Sequence, residues 1–159
     1  AVSQLADGGR KRIAMINHDL SYKYARLRER GYKSVIHLRD LDYQAVEYAS
    51  DLSSGAGMAA MQNLLKDNPP DAVFVVSDTL AAGALRAIQQ AGLRVPEDIA
   101  VVGFDGTELA EMISLTTIEQ PSRDIGRKAV DLLLNKIDNP DAPTERVMLD
   151  WRFISRAST

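Results

Sequence analysis

The chain has 159 residues and a net charge of −3, enough length for one domain with a substantial core. Its 45% hydrophobic and 26% charged residues give a globular balance, and no apolar run approaches the length of a membrane span. The lack of cysteine excludes disulfides, thiolate metal sites and a thiol nucleophile, and the acidic balance argues against a nucleic-acid surface on this chain.

Val2–Ala6 reads as the end of a helix stopped by Gly8-Gly9. The opening stretch AVSQLADGGRKR carries neither an initiator Met nor the hydrophobic region of a secretory signal. Arg12–Ile16 is a short strand, and Asn17–Ser21 is a polar loop at its carboxyl end. Tyr24–Leu38 reads as a helix with Leu27, Val35 and Leu38 towards its buried side, and Gly31 is its weak point. Ala45–Tyr48 is the next strand and leads into the polar loop Ser50–Gly57. Gly57–Leu65 is helical, with Met58, Met61, Leu64 and Leu65 spaced for one face, and Asn68-Pro69-Pro70 ends it.

The most legible stretch is Asp71–Gly106. Ala72–Val76 is a strand, because the run is rich in β-branched and aromatic residues and too short for a helix. Asp78 stands at the N-cap position of a helix over Thr79–Ala91, whose Ala81, Ala84, Leu85 and Ile88 form a buried stripe. Gly92 takes the left-handed C-terminal position, Leu93 supplies the hydrophobic contact, and Pro96 prevents continuation. Ile99–Phe104 is the following strand, so the stretch is a βαβ unit with parallel strands and a right-handed crossover. A helical turn at Glu108–Met112 and a strand at Leu115–Ile118 follow. Ser122 caps a helix over Arg123–Ile137, Asp138–Pro143 is a linker, and Arg146–Ile154 alternates imperfectly as a final strand. The class is α/β, with a Rossmann-like, largely parallel sheet flanked by helices.

In such sheets ligands bind beyond the carboxyl ends of the strands. Ser77, Asp78 and Asp105 occupy those ends. Tyr22 and Tyr24 lie at the loop-to-helix junction facing the same cleft, either as aromatic ligand surface or as amphipathic boundary residues. His18 and His37 have no metal-ligand spacing, and His18 reads as solvent-exposed at the cleft rim. Gly55-Ala56-Gly57 lacks the pattern of a dinucleotide loop, and no nucleophile–base pair supports an enzyme, so the chain reads as non-catalytic, with no cofactor and no metal.

The segments RKRIAMI, R-x-x-G-Y at Arg28–Tyr32, DAVFVVSDTLAAGALRAIQQAG, VPEDIAVVGFDG, LTTIEQP, IGRKAV and SRAST together resemble the LacI/GalR family of bacterial transcriptional regulators. The resemblance implies the carboxy-terminal lobe of a type I periplasmic-binding-protein-like core over residues 1–118. Residues 119–143 would then be a crossover segment with a helix belonging to the amino-terminal lobe, and 144–159 a return strand. The helix-turn-helix, the hinge and most of the amino-terminal lobe lie outside this chain on that reading.

By the same resemblance, Arg28 and Asp105 are the polar anchors of an effector site. Ser77 stands where sugar-responsive members often carry asparagine, and Leu52 stands where some members stack an aromatic ring on the effector. The implied partners are a sugar or sugar-derivative effector, with a nucleobase as the minority option, a second copy of the chain, and operator DNA reached through the absent head, with no membrane partner, in the cytoplasm. A homodimer contact is expected at Leu80, Ala82, Leu85, Met112 and Ile113, because the helix Thr79–Ala91 is apolar on more than one side. The wide apolar face of Arg123–Ile137 is expected to pair with another copy or to pack back on its own lobe. The rivals are a periplasmic sugar receptor, distinguished by a signal peptide in place of a helix-turn-helix upstream, and an α/β enzyme, distinguished by turnover.

Overall fold

The computed structural model describes all of residues 1–159. In chain order its elements are α1 (Val2–Asp7), β1 (Ile13–Asn17), α2 (Lys23–Leu38), β2 (Ala45–Tyr48), α3 (Ser54–Leu64), β3 (Ala72–Val75), α4 (Asp78–Gln90), β4 (Ala100–Asp105), α5 (Glu108–Met112), β5 (Thr116–Glu119), α6 (Ser122–Asp138) and β6 (Arg152–Ile154). The strands form one sheet in the order β2-β1-β3-β4-β5-β6, parallel throughout except that β6 runs antiparallel to β5.

The inner strands are apolar runs because helices cover both of their faces. Ile13–Ile16, Ala72–Val75 and Ala100–Val102 are all buried. The chain steps from β1 to the β2 edge and then back past β1 to β3. With right-handed crossovers, this reversal puts α2 on one face and α3 and α4 on the other. It also opens a crevice between the carboxyl ends of β1 and β3, where the strand order switches direction.

The apolar surface of α4 is larger than the sheet needs because α3 packs tightly along it. Two glycines permit the approach. A Cβ on Gly83 would fall onto the Ser54 carbonyl oxygen, and one on Gly57 would fall onto that of Leu80. Leu80 is fully enclosed there, so it does not reach a partner chain as the sequence suggested. Helix α4 ends as expected: the Leu93 amide donates to the Ile88 carbonyl at 3.2 Å, the Gly92 amide donates to that of Gln89 at 3.0 Å, and Gly92 has φ +75°.

Five local expectations change. The buried side of α2 is made by Ala25, Glu29, Tyr32 and Ile36, while Leu27 and Leu38 are exposed and Val35 is only partly covered. The N-cap of α4 is Ser77, whose Oγ accepts from the Leu80 amide at 3.2 Å, and Asp78 is the first helical residue. Helix α3 begins at Ser54 because Ser53 caps it, accepting from the Ala56 amide at 3.1 Å. Ser122 is the first residue of α6 and caps nothing, since Pro121 holds the N-cap position without a side-chain acceptor. The final strand spans only Arg152–Ile154, paired with Glu119, Ile118 and Thr117, while the fourth residue of β5, Thr116, is bonded instead to Arg156 and Ser158.

Helix α6 buries none of its residues. Ile125, Val130, Leu133, Leu134 and Ile137 are all exposed, so the helix does not pack back onto its own lobe. The chain end, by contrast, is fastened. Ser158 Oγ accepts from the Thr116 amide at 2.8 Å and donates to the Val101 carbonyl at 2.7 Å.

The glycine crossing makes a paired prediction. Gly83→Ala should lower stability by about 1–3 kcal/mol in urea unfolding, since backbone rather than a mobile side chain stands in the way. Gly31→Ala, with no atom within 4 Å of its new Cβ in mid-helix α2, should raise it by about 0.5–1 kcal/mol. Equal effects from the two would contradict the crossing.

Candidate functional site

The rim at the carboxyl ends of the strands is built around one buried carboxylate. Asp78, fully enclosed at the start of α4, accepts from the Thr107 amide at 2.8 Å, from Thr107 Oγ1 at 2.9 Å and from Thr117 Oγ1 at 2.7 Å. Thr107 in turn caps α5, accepting from the Ala110 amide at 3.3 Å. The β3–α4 turn, the β4–α5 turn and β5 are therefore joined through one side chain. Its position in the first turn of a helix also suits a negative charge.

Arg28 projects from α2 onto this rim. Its Nη1 donates to the Val76 carbonyl at 2.7 Å, and its guanidinium lies 3.6 Å from the ring centroid of Phe104 and 5.0 Å from that of Tyr24. Cation–π contacts hold the planar group without consuming its donors. Asp105 ends β4 with φ +122°, an uncommon conformation for a residue with a Cβ. Gln120 Nε2 donates to its Oδ1 at 2.8 Å. Arg28 and Asp105 sense each other's charge without forming an ion pair. Burial lowers the Arg28 pKa, and Asp105 and Tyr24 only partly offset it. Burial likewise pushes the Asp105 carboxyl above its usual range, against the pull of Arg28 and the Gln120 hydrogen bond and helped by the nearby Asp78. Two half-buried, opposite charges thus face the crevice incompletely satisfied, an arrangement suited to a ligand bearing both donors and acceptors.

The loop after β1 contributes aromatic surface. His18 Nδ1 and the Tyr24 hydroxyl are 2.8 Å apart, and the His18 ring stacks on Tyr22 at 5.0 Å and on Tyr24 at 6.3 Å between centroids. His18 is buried, contrary to expectation, because these two rings enclose it, while Tyr22 keeps an exposed face. Asn17 points inward. Its Nδ2 donates to Glu29 Oε2 at 3.0 Å and its Oδ1 accepts from the His18 amide at 2.9 Å. Burial raises the Glu29 pKa, but hydrogen bonds from Lys33, Tyr48 and Asn17 outweigh it and leave the carboxyl below its ordinary range. Glu29 therefore ties α2 to β1 and β2 behind the rim.

Behind Arg28, on the face that carries α1 and α2, lies a mainly apolar cavity of about 460 Å³. It runs from Ala1 and Val2 past Tyr32, Phe74 and Ile118 to Trp151, and meets the rim at Arg28, Phe104 and Gln120.

The family described as periplasmic binding protein-like domain matches residues 2–159. The chain belongs to that family. It is 38% identical to the ribose operon repressor of Escherichia coli (strain K12), over 99% of this chain and 49% of the repressor. Among solved structures, it superposes on a LacI family transcriptional regulator from Enterococcus faecium with bound ribose. That match has a TM-score of 0.90 at 29% identity, over 99% of this chain and 60% of that one. It also superposes on the Lac repressor dimer bound to operator and an anti-inducer, with a TM-score of 0.90 at 34% identity, over 99% and 56% of the two chains. The chain spans about half the length of the curated relatives it matches. The resemblance to LacI/GalR regulators and the parallel α/β fold drawn from the sequence are both borne out.

Within this family fold the expected site residues separate into groups. Arg28, Asp105 and Tyr24 come together, and Tyr22 stands beside them. Ser77 is buried, with its oxygen accepting a helix-cap bond. Leu52 is half exposed on the loop before α3. Of the dimer residues, Met112 is largely exposed, Ala82, Leu85 and Ile113 are partly covered, and Leu80 is enclosed. The sequence reading missed Phe104, Gln120 and the two threonines on Asp78. Register gives the signal for Gln120: Asp105 pairs with Glu119 across β4 and β5, which places Gln120 one residue beyond it.

Asp78→Asn keeps the shape but replaces one acceptor oxygen with an NH2 group facing hydroxyl and amide donors. It should cost about 1.5–3 kcal/mol in denaturant unfolding, the scale for hydrogen bonds to a charged group. Unchanged stability would show that the three rim segments are held some other way.

Proposed function

We propose that this chain is the effector-sensing lobe of a LacI/GalR-type transcriptional regulator, and that it binds a sugar or sugar derivative between Arg28 and Asp105. The observation that carries the reading is that pair: two half-buried opposite charges, not bonded to each other, beside the crevice where the strand order reverses. Sugar hydroxyls donate and accept at once, so one ring can take the free donors of Arg28 and the open oxygen of Asp105. Tyr22 and Tyr24 offer ring faces to its C–H surface, the role that Leu52 does not fill. The repressor named for the ribose operon and the regulator solved with ribose support this ligand class, and they favour a regulator over a periplasmic receptor.

On this reading residues 1–118 and 144–159 form one lobe, and α6, within 119–143, belongs to the other. Effector affinity that differs between two lobe orientations then biases how a dimer presents DNA-reading heads carried elsewhere in the protein. The chemistry is binding without turnover, in the cytoplasm. The dimer face is the outer side of α4 and α5, through Ala82, Leu85, Met112 and Ile113 and without Leu80. The Lac repressor dimer on its operator supports that assembly.

Calorimetry on the two-lobed protein tests the site. Arg28→Ala should weaken effector binding by roughly 1.5–3 kcal/mol, about 10- to 150-fold. Unchanged affinity would remove Arg28 from the site. For the dimer, Met112→Glu combined with Ala82→Glu should sediment as a monomer where the parent sediments as a dimer; identical profiles would rule this face out.

A further inference from the structure

The geometry points to Gln120 as a positioning residue that fixes the Asp105 carboxylate for ligand and ties it to the departing helix α6. This rests on the reading of Arg28 and Asp105 as the effector site.

Gln120 holds Asp105 at two points. Its backbone amide donates to the Asp105 carbonyl at 3.2 Å, and its Nε2 donates to Oδ1 at 2.8 Å. No other group of the chain hydrogen-bonds that carboxylate, so Oδ2 is the oxygen left for a ligand. Asp105 needs such an anchor. Its φ of +122° is costly for a residue with a Cβ, and such conformations persist only where the surroundings over-determine them. The two hydrogen bonds from Gln120 do this, together with the strand register that sets Asp105 against Glu119.

The other side of Gln120 faces the crossover. Pro121 follows it as the N-cap of α6, and α6 buries no residue in the lobe. One residue before it, Glu119 accepts from Arg152 Nε at 2.7 Å, which pins the returning strand β6 at the same point. Outgoing and returning segments therefore meet within one residue of the side chain that orients Asp105. A ligand that takes Oδ2 alone leaves the Gln120 bond in place. A ligand that rotates the carboxylate breaks it and frees the first turn of α6. Gln120 thus converts the way a ligand grips Asp105 into the freedom of the crossover.

The groups facing Asp105 are Arg28 and Tyr24 from α2, Asp78 from α4 and Gln120 from the end of β5, with the Glu119–Arg152 pair beside it. Only Gln120 is changed in the test. The side-chain carboxyl of Asp105 is titrated by carbon NMR in the two-lobed protein, and residual dipolar couplings report the alignment of α6 relative to β3.

Gln120→Leu keeps the backbone bond and the bulk but loses the Nε2 donor. The Asp105 midpoint should rise by about one pH unit, because a hydrogen bond to the ionised form is lost. The α6 couplings should shrink towards averaging. Gln120→Glu sets an oxygen against an oxygen and should move both readouts further in the same direction. A purely structural Gln120 would shift the titration and leave the α6 couplings at parent values. That result in either variant overturns the proposal, as does an unmoved Asp105 midpoint. A panel of free pentoses, hexoses and disaccharides titrated into the parent separates the two claims: binding by none of them, with both NMR effects present, contradicts the sugar-site reading and leaves the Gln120 link standing.

Discussion

The rim of this lobe depends on the buried carboxylate of Asp78. Three loops converge at the carboxyl end of the sheet, and short turns there have no core of their own to fix them. Asp78 supplies the missing constraint by accepting from Thr107 twice and from Thr117 once. A carboxylate out of water is costly unless its lone pairs are filled, and here three donors fill them. The same bonds set where β4 ends and α5 begins, and so they set where Asp105 stands.

Around that anchor the polar side chains divide their work. Ser77, Asn17 and Glu29 all occur near the rim, yet their hydrogen bonds are directed into the protein. Arg28 and Asp105 keep unfilled donors and acceptors, and burial weakens the ionisation of both. Rigid elements hold these two groups: α2 through the stack on Phe104, and β4 through its register with β5. Function then follows from which groups the scaffold satisfies internally and which it leaves open. The exposed apolar face of α6 and the glycine crossing of α3 on α4 show the same economy in packing. The crossing buries an apolar stripe that would otherwise have needed a partner, whereas α6 leaves its own stripe unburied by this lobe.

Much of this was legible in the sequence because the signals were local. The βαβ unit at Asp71–Gly106 declares itself through an apolar run, a helical stripe and a Gly-Leu-x-x-Pro stop, and the motifs around it name the family. What failed was non-local. Asp78 looks like a helix cap, and only the three-dimensional approach of Thr107 and Thr117 shows that it joins loops instead, leaving Ser77 to cap. Leu80 belongs to a second apolar stripe, and the sequence does not say whether another helix or another chain covers it. Gly57 and Gly83 would have answered that, since neither sits where a turn needs glycine. The strand expected over Arg146–Ile154 shrank because alternation marks a strand only where a neighbour exists to pair with it. His18 was misplaced for a similar reason, as its enclosure comes from Tyr22 and Tyr24 folding over it.

The central claim is that ligand binds at the rim between Arg28 and Asp105 and not in the apolar cavity behind it. A crystal structure of the two-lobed protein with its sugar effector tests this most directly. The account predicts sugar oxygens within hydrogen-bond distance of the Arg28 guanidinium and of Asp105 Oδ2, with the Tyr22 or Tyr24 ring against the sugar's C–H face. A sugar seated instead between Tyr32, Phe74 and Trp151, with Asp105 untouched, would contradict it.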